Sequence, residues 1–351
     1  MTESKTIVKK ESKNKIRVEF EDRTPWLQRM KLKIFNMYFF KNVVWGFIRY
    51  VLLAGISYVV LYPFIIKIFD SFKSAEDVQD VTVGMISQYP TFDQYKYLVT
   101  ENGYFEGLLN TFILSFAVAI IQTLVCSLVA YGLAKFKFKG NGLLFGLVLL
   151  TLMVPHFAIK WSIFSHFSGV DLFGRLLAAV GITESASLIN SFWPMVLMCV
   201  TGIYYKNGLY IFMLRQFFKG VPDELEESAY VDGSGVFRTF FSIILPLSIP
   251  MLITVFVFSF AWQWTDTFYT ELFFTASFMQ DPDKAIKFLK SVAESVPPTL
   301  MGDGRWDGFE ESYQHMVFGT AGLMIIAPLV IVYVFLQRYL VQGIERTGLV
   351  G

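Results

Sequence analysis

Long apolar stretches without Asp, Glu, Lys or Arg alternate with charged segments along the 351-residue chain. A transmembrane helix needs ~20 mostly apolar residues, and a charged side chain at the bilayer centre costs ~2.5–3.5 kcal/mol. Charge-free stretches of about this length therefore mark membrane spans, and they are Tyr50–Ile66, Gly107–Ala134, Gly140–Ile159, Ser185–Tyr205, Thr239–Thr265 and His315–Gln337. The pattern predicts an all-α membrane protein with six transmembrane helices.

The composition agrees with a membrane protein. Hydrophobic residues make up 54% of the chain and charged residues 17%, whereas an average soluble domain is about 25% charged. The formal net charge of +1 excludes a strongly basic nucleic-acid-binding protein. The 2 Cys and 3 His exclude a disulfide scaffold and leave too few ligands for an ordinary zinc module. We therefore expect contact with membrane lipid, but no nucleic-acid partner and no metal site.

The distribution of charge orients the spans. The first 43 residues contain 11 Lys or Arg and 5 acids, and basic segments stay on the cytoplasmic side of a membrane. With that orientation the cytoplasmic segments hold 20 basic and 11 acidic residues, and the outer segments hold 9 and 18. We therefore expect a multi-pass protein with both termini in the cytoplasm.

The first 43 residues are predicted to be a basic cytoplasmic leader, since they lack the short apolar core and cleavage site of a signal peptide. Apolar residues at near-helical spacing between Trp26 and Phe39 predict an amphipathic helix on the inner leaflet, and a solvated leader is the alternative. Residues 44–351 form the six-helix domain. Its connecting segments are outer loops 70–106, 160–184 and 266–314, a cytoplasmic loop 215–246 and a cytoplasmic C-terminal tail 338–351.

The cytoplasmic loop contains an acidic segment with helix-start and helix-stop residues. Pro222 suits the first turn of a helix, and the acids that follow it favour the positive N-terminal end. Gly233 can take the left-handed conformation that ends a helix, and Ser234 can accept from backbone donors of the next one. Two short helices with a sharp corner are therefore predicted. A small-residue face at Ser228 and Ala229 would fit a groove on another protein.

Around this corner the sequence resembles the EAA motif of permease subunits in binding-protein-dependent ABC importers. The matching residues are Glu227-Ser228-Ala229, then Gly233, then Ile243-x-Leu245-Pro246, with Ser228 where Ala is usual. Segments 130–140, 212–218 and 335–343 resemble the carbohydrate branch of that family, the type similar to the second maltose permease subunit. The resemblance covers residues 45–351.

This resemblance implies a type I ABC importer permease fold in the cytoplasmic membrane of a prokaryote. The implied partners are a second, related permease subunit that forms a heterodimer, two ATP-binding subunits and an extracytoplasmic sugar-binding protein. A coupling helix at Pro222–Asp232 would be moved by the ATP-binding subunits to drive import of a sugar or oligosaccharide. The residues to which it assigns ATPase coupling are Glu224, Glu226, Glu227, Ser228, Ala229, Asp232, Gly233, Leu245 and Pro246.

Two alternatives accompany this interpretation. The carboxylates of the corner would also suit a solvated acidic surface. An ATP-independent secondary transporter or channel is the alternative function, although such proteins more often show inverted repeats or several buried ionisable residues. The chain contains no phosphate-binding loop of the form G-x-x-x-x-G-K-[ST]. We therefore expect a non-catalytic subunit that binds no cofactor itself, with ATP and Mg²⁺ on the partner ATPase.

Lys206 is the sharpest single candidate within the membrane. It precedes the cytoplasmic Arg215 by nine residues, which places it ~13 Å from that end at the helical rise. Together with Tyr204, Tyr205 and Asn207 it would line a translocation path and donate hydrogen bonds to sugar hydroxyls. A helix break at this point, with the lysine satisfying freed backbone carbonyls, fits the sequence equally well.

Trp262 and Trp264 lie at the outer end of the fifth predicted span. Aromatic residues commonly mark the membrane interface, and an aromatic belt is one interpretation of this pair. Since sugar rings stack on indole faces, the other is a contribution to the outer end of the substrate path.

Overall fold

The computed structural model describes residues 7–11, 15–19, 37–168, 179–181, 187–274, 288 and 310–348. The chain divides into two compact units, residues 1–66 and 67–351. In the first unit, strands β1 (Ile7–Glu11) and β2 (Lys15–Glu19) form an antiparallel hairpin in which Val8 pairs with Val18. This hairpin departs from the all-α prediction. The strand forms because apolar and polar residues around Val18 alternate with the two-residue period of a strand. The amphipathic helix predicted between Trp26 and Phe39 falls largely on residues 20–36, outside the described part of the chain.

The rest of the described chain is helical. In chain order the helices are α1 (Met37–Asp70), α2 (Ala75–Gln79), α3 (Asp93–Thr100), α4 (Tyr104–Lys135), α5 (Asn141–Met153), a 3₁₀ helix (His156–Ile159), α6 (Lys160–Ser168), α7 (Trp193–Val200), α8 (Asn207–Lys219), α9 (Glu224–Val231), α10 (Val236–Thr239), a π-helical turn (Phe240–Ile244), α11 (Leu245–Leu247), α12 (Ile249–Trp264), α13 (Phe268–Phe273) and α14 (Glu310–Gly348).

Among the described residues, three helices are long and apolar enough to cross a membrane by themselves: Phe40–Asp70 within α1, Tyr104–Lys135, and Ser312–Val341 within α14. Two helix pairs reach that length only together. Asn141–Met153 and His156–Ser168 meet at 90°, and Val236–Leu247 and Ile249–Trp264 meet at 80°. The described chain therefore has three such spans, or up to five if each bent pair is one span.

Proline explains the two bends that the apolar pattern did not predict. Pro155 lies between α5 and the 3₁₀ helix, where a missing N–H and a fixed φ stop the preceding helix. The second bend lies at Ser248, between Pro246 in α11 and Pro250 in the first turn of α12. The Ser248 hydroxyl donates to the carbonyl of Ile244 at 2.7 Å, which satisfies a backbone group at the bend.

The fourth predicted span, Ser185–Tyr205, is wrong as a continuous helix. Helix α7 starts with Pro194 in its first turn and ends at Val200. The chain then takes left-handed backbone conformations at Gly202 (φ 74°) and Lys206 (φ 67°), and α8 begins at Asn207. A right-handed helix cannot continue through such residues. The apolar pattern measures lipid compatibility and does not detect a break of this kind.

Helix α4 lies at the centre of the second unit. It packs against both α8 and α12, and α12 packs against α14. Along α4 the buried positions Ser115, Ala119, Thr123 and Ser127 recur every four residues. Small residues at this spacing let helix backbones approach closely, which is the usual packing mode within a membrane. This spacing agrees with the packing of α4 against its neighbouring helices.

Candidate functional site

The acidic corner, which we define as residues 220–246, ends its first helix with a backbone motif. Gly233 has φ 81°, and its N–H donates to the carbonyl of Tyr230 at 3.0 Å. The N–H of Ser234 donates to the carbonyl of Ala229 at 2.9 Å. This pair of bonds is a Schellman motif, and the predicted left-handed glycine is confirmed. The predicted cap at Ser234 is wrong, because α10 is preceded by Gly235 and has no side-chain cap.

Helix α9 has one buried and one exposed face. Glu226 and Ala229 are buried, with 7% and 4% of their surface exposed. The predicted shared small-residue face of Ser228 and Ala229 is wrong, because neighbouring helical residues lie 100° apart and Ser228 points outward. The predicted coupling residues that are exposed are Glu224, Glu227, Ser228, Asp232, Gly233 and Pro246. Leu245, near the end of the corner, is partly buried against an apolar core.

Apolar side chains are exposed between the acids of the corner. Val231 is 87% exposed and Phe237 is 73% exposed, and Phe241, on the following turn, is 50% exposed. Contiguous exposed apolar surface rimmed by polar residues is typical of a protein-binding site. Our sequence interpretation did not include these residues. Their signal was the occurrence of large apolar residues in and beside a charged loop: Val231 and Phe237 lie outside any predicted span, and Phe241 lies at the start of the fifth.

A buried ion-pair cluster attaches the corner to α4. The Lys135 Nζ lies 2.6 Å from the Asp223 carboxylate and 3.6 Å from Glu226 Oε1, and it donates to the carbonyl of Val221 at 2.6 Å. The Tyr131 hydroxyl donates to Glu226 Oε2 at 3.3 Å. The hydrogen bond and the charge of Lys135 hold the pKa of the Asp223 carboxyl below its ordinary value. The sequence interpretation used Lys135 only as a cytoplasmic charge, because the pairing joins residues 86 or more positions apart in the chain.

Beside the start of α8 lies a cavity of about 420 Å³, which we call the aromatic cavity. Its walls include Tyr205, Lys206, Trp262, His156 and Phe268. The Lys206 Nζ lies 4.5 Å from the centroid of the Tyr205 ring and 4.8 Å from that of Trp262. The structure thus brings together three of the residues predicted for the substrate path.

A buried polar network holds the helix break beside this cavity. The side-chain amide of Gln122 on α4 donates to Asn207 Oδ1 at 2.6 Å and to the carbonyl of Tyr205 at 3.0 Å. Ser259 on α12 donates in turn to Gln122 Oε1. The break considered in the sequence interpretation is therefore present. It is Gln122 that satisfies a freed backbone carbonyl there, whereas the Lys206 ammonium lies over aromatic rings.

The remaining predicted path residues occupy different places. Tyr204 and Asn207 line a smaller neighbouring cavity of about 190 Å³, and the Tyr204 hydroxyl donates to Gln263 Oε1 at 2.5 Å. Trp264 is 5% exposed and its indole N–H donates to the carbonyl of Ile325 at 3.0 Å. Trp264 and Trp262 lie on different faces of α12, because residues two apart on a helix point about 200° apart.

Residues 122–346 match the sequence profile of the binding-protein-dependent transport system inner membrane component family. The chain belongs to this family, and it is a permease subunit of an ABC importer and a multi-pass protein of the inner membrane. Membership favours the importer over the ATP-independent transporter or channel that the sequence left open.

Two curated relatives and one solved structure are similar to the chain. The galactooligosaccharides transport system permease protein GanQ of Bacillus subtilis is 26% identical over 305 residues, covering 86% of this chain and 94% of that protein. The alpha-glucoside transport system permease protein AglG of Rhizobium meliloti is 30% identical over 263 residues, covering 74% and 60%. A bacterial ABC transporter involved in the import of the acidic polysaccharide alginate has the same fold, with a TM-score of 0.61 at 19% identity, covering 85% of this chain and 97% of that chain.

Proposed function

We propose that this chain is one half of a heterodimeric, six-span permease that moves a sugar or oligosaccharide into the cytoplasm. An extracytoplasmic binding protein delivers the substrate, and two ATPase subunits bind ATP and Mg²⁺, while this chain itself binds no cofactor. The names of GanQ and AglG, both transport-system permeases for saccharides, support the substrate class. The charge distribution supports a leader at 1–43, a transmembrane domain at 44–351, and cytoplasmic placement of both termini and the corner.

A single structural observation carries the coupling mechanism. Helices α4 and α8 pack against each other, both end at the acidic corner, α8 begins beside the aromatic cavity, and hydrogen bonds join the two helices at two places. Gln122 bonds to Asn207 beside the cavity, and Arg215 Nε donates to the carbonyl of Leu133 near the corner at 3.2 Å. The 13 residues from Gln122 to Lys135 span about 20 Å at the helical rise. A displacement of the corner is therefore transmitted to the cavity by a pair of helices clamped together.

In this proposal the exposed face of α9 is the coupling surface. Glu224, Glu227, Ser228 and Asp232 meet an ATPase subunit, and the exposed Val231 and Phe237 bury their apolar surface against it. Buried Glu226 and Ala229 set the position of α9, Gly233 makes the corner, and Leu245 and Pro246 connect the corner to α12. The substrate path contains Tyr205, Lys206 and Trp262, with Tyr204 and Asn207 in the adjoining cavity.

Site-directed crosslinking tests this assignment. Both native cysteines, Cys126 and Cys199, are buried and free, so a Ser228→Cys variant adds an accessible thiol at the corner. We expect a bifunctional thiol reagent to crosslink it to a co-purified ATPase subunit. A Thr100→Cys variant, exposed on α3 in a predicted outer loop, is the control and should give no such product. Absence of the Ser228 crosslink, or equal crosslinking from position 100, contradicts the coupling assignment.

A further inference from the structure

The aromatic cavity contains an ammonium group, that of Lys206, with no ion-pair partner among the described residues. Among the residues that the structure describes, no carboxylate lies within 4.0 Å of the Lys206 ammonium, although its neighbours at Tyr205 and Trp262 are aromatic. A cation over an aromatic ring is stabilised. A single such contact stabilises a lysine by less than its placement at membrane depth costs. An anionic group entering the cavity would supply the missing compensation.

The wall of the cavity also contains the carboxylate of Asp266, whose two oxygens already accept hydrogen bonds. Asp266 Oδ1 accepts from the backbone N–H groups of Phe268 and Tyr269, and Oδ2 accepts from Tyr269 and from the backbone and hydroxyl of Thr270. These bonds turn Asp266 toward the start of α13. The ring nitrogen Nδ1 of His156 is likewise within 2.8 Å of the Tyr269 hydroxyl. Lys206 is therefore the charged group that the cavity offers to a ligand.

The remaining walls suit a sugar ring. Trp262 is 47% exposed, and Tyr205, Phe157 and Phe268 add aromatic surface. Aromatic faces bind the apolar C–H faces of sugars, while a cation binds a carboxylate by a charge-assisted hydrogen bond. The volume of about 420 Å³ falls within the ~300–1,000 Å³ typical of small-molecule sites.

The backbone that presents the ammonium is itself unusual. Lys206 has φ 67°, a conformation that a lysine rarely adopts. Such strain persists where the surroundings enforce it, most often at ligand sites. Gln122 enforces it here through its bonds on both sides of the residue, to the carbonyl of Tyr205 and to Asn207.

We propose that Lys206, with Trp262 and Tyr205, forms a binding subsite for the carboxylate and ring of a uronic-acid unit, so that the imported substrate is an acidic oligosaccharide. This inference rests on the proposed function, since it takes the cavity to be part of a saccharide path. The ammonium pairs with the uronate carboxylate, and Trp262 stacks on the same sugar ring. A neutral sugar would leave the ammonium with hydroxyl acceptors alone.

Direct binding to the assembled complex tests the subsite without interference from the binding protein. The permease pair with its ATPases is reconstituted in nanodiscs, and affinity is measured by equilibrium dialysis for trigalacturonate and for its carboxyl-reduced, neutral trimer. We expect the wild type to prefer trigalacturonate. Lys206→Met should weaken trigalacturonate binding by roughly tenfold to a hundredfold, as for a lost hydrogen bond to a charged group, and should leave the affinity for the neutral trimer within about threefold.

Two further variants distinguish an ion pair between Lys206 and the ligand from a folding defect and from a general effect of positive charge. Lys206→Arg keeps the charge and should retain the preference. Lys160→Met removes a charge near the same wall, where the Lys160 Nζ lies 5.8 Å from the centroid of the Phe268 ring, but Lys160 does not line the cavity. It should retain the preference as well.

The outcomes distinguish this inference from the proposed function. Equal weakening of both trimers in Lys206→Met, loss of the preference in Lys160→Met, or a wild type that imports neutral saccharides and does not bind trigalacturonate overturns the acidic subsite alone. A complete complex that imports no saccharide of either kind overturns the proposed function.

Discussion

Lys135 offers a direct test of how the acidic corner is attached to the membrane helices. Its side chain is 5% exposed, and it contacts Asp223, Glu226 and the carbonyl of Val221. A Lys135→Met change keeps an unbranched side chain of nearly the same length and removes all three contacts. Glu226, whose side chain is 9% exposed, is then left with the Tyr131 hydroxyl as its described hydrogen-bond partner.

The expected loss of stability depends on how deeply Asp223 and Glu226, the two acidic partners of Lys135, are buried. Breaking a buried ion pair from one side costs about 3–5 kcal/mol, because the other charge is left uncompensated. The Asp223 side chain is 72% exposed, so its pair with Lys135 adds little. The Lys135–Glu226 separation of 3.6 Å is longer than a hydrogen bond, which favours the lower end of the range. A loss of ~3 kcal/mol corresponds to roughly a hundredfold increase in local opening.

Hydrogen exchange measured by mass spectrometry on the complex in nanodiscs reports this opening directly. The amides of α9 (Glu224–Val231) should exchange roughly a hundredfold faster in Lys135→Met, while those in the middle of α4 stay protected. Lys139→Met, which removes an exposed charge from the turn that follows α4, should leave α9 unchanged. A Lys135→Met, Glu226→Leu double variant should recover much of the protection, since no orphaned charge remains. Unchanged α9 exchange in Lys135→Met would refute the attachment.

Three further predictions follow from local geometry. Gly233→Asp strains a backbone at φ 81° and should increase the ATP hydrolysed per substrate imported by roughly tenfold, while the complex stays assembled; normal stoichiometry contradicts coupling through the corner. Phe237→Ser should lower the yield of co-purified ATPase, since Phe237 is 73% exposed; an unchanged yield removes it from the interface. Gly208→Ala places a Cβ 2.8 Å from the Val148 carbonyl and should destabilise the permease by ~1–3 kcal/mol in a thermal assay; Gly146→Ala, with open space, is the control.

The sequence by itself determined the class of protein and the location of its corner. Charges are costly in hydrocarbon, so the charge-free stretches identified the long helices at Tyr104–Lys135 and Ser312–Val341 to within four residues at each end. The left-handed Gly233 was predictable because helix ends obey local rules that a few neighbouring residues express. Membership of the permease family was likewise legible from short motifs around Glu227 and Pro246.

Only the tertiary structure showed which side of each helix faces a neighbouring helix, and therefore which side chains meet. Lipid accepts any apolar segment, so hydropathy could not reveal the break at Lys206 or the burial of Trp264. The partners of Lys135 and Gln122 lie more than 80 positions away in the chain, and only the packing of α4 against α8 brings them together. Sequence patterns report local propensity and solvent preference, whereas a site is made by contacts between distant segments.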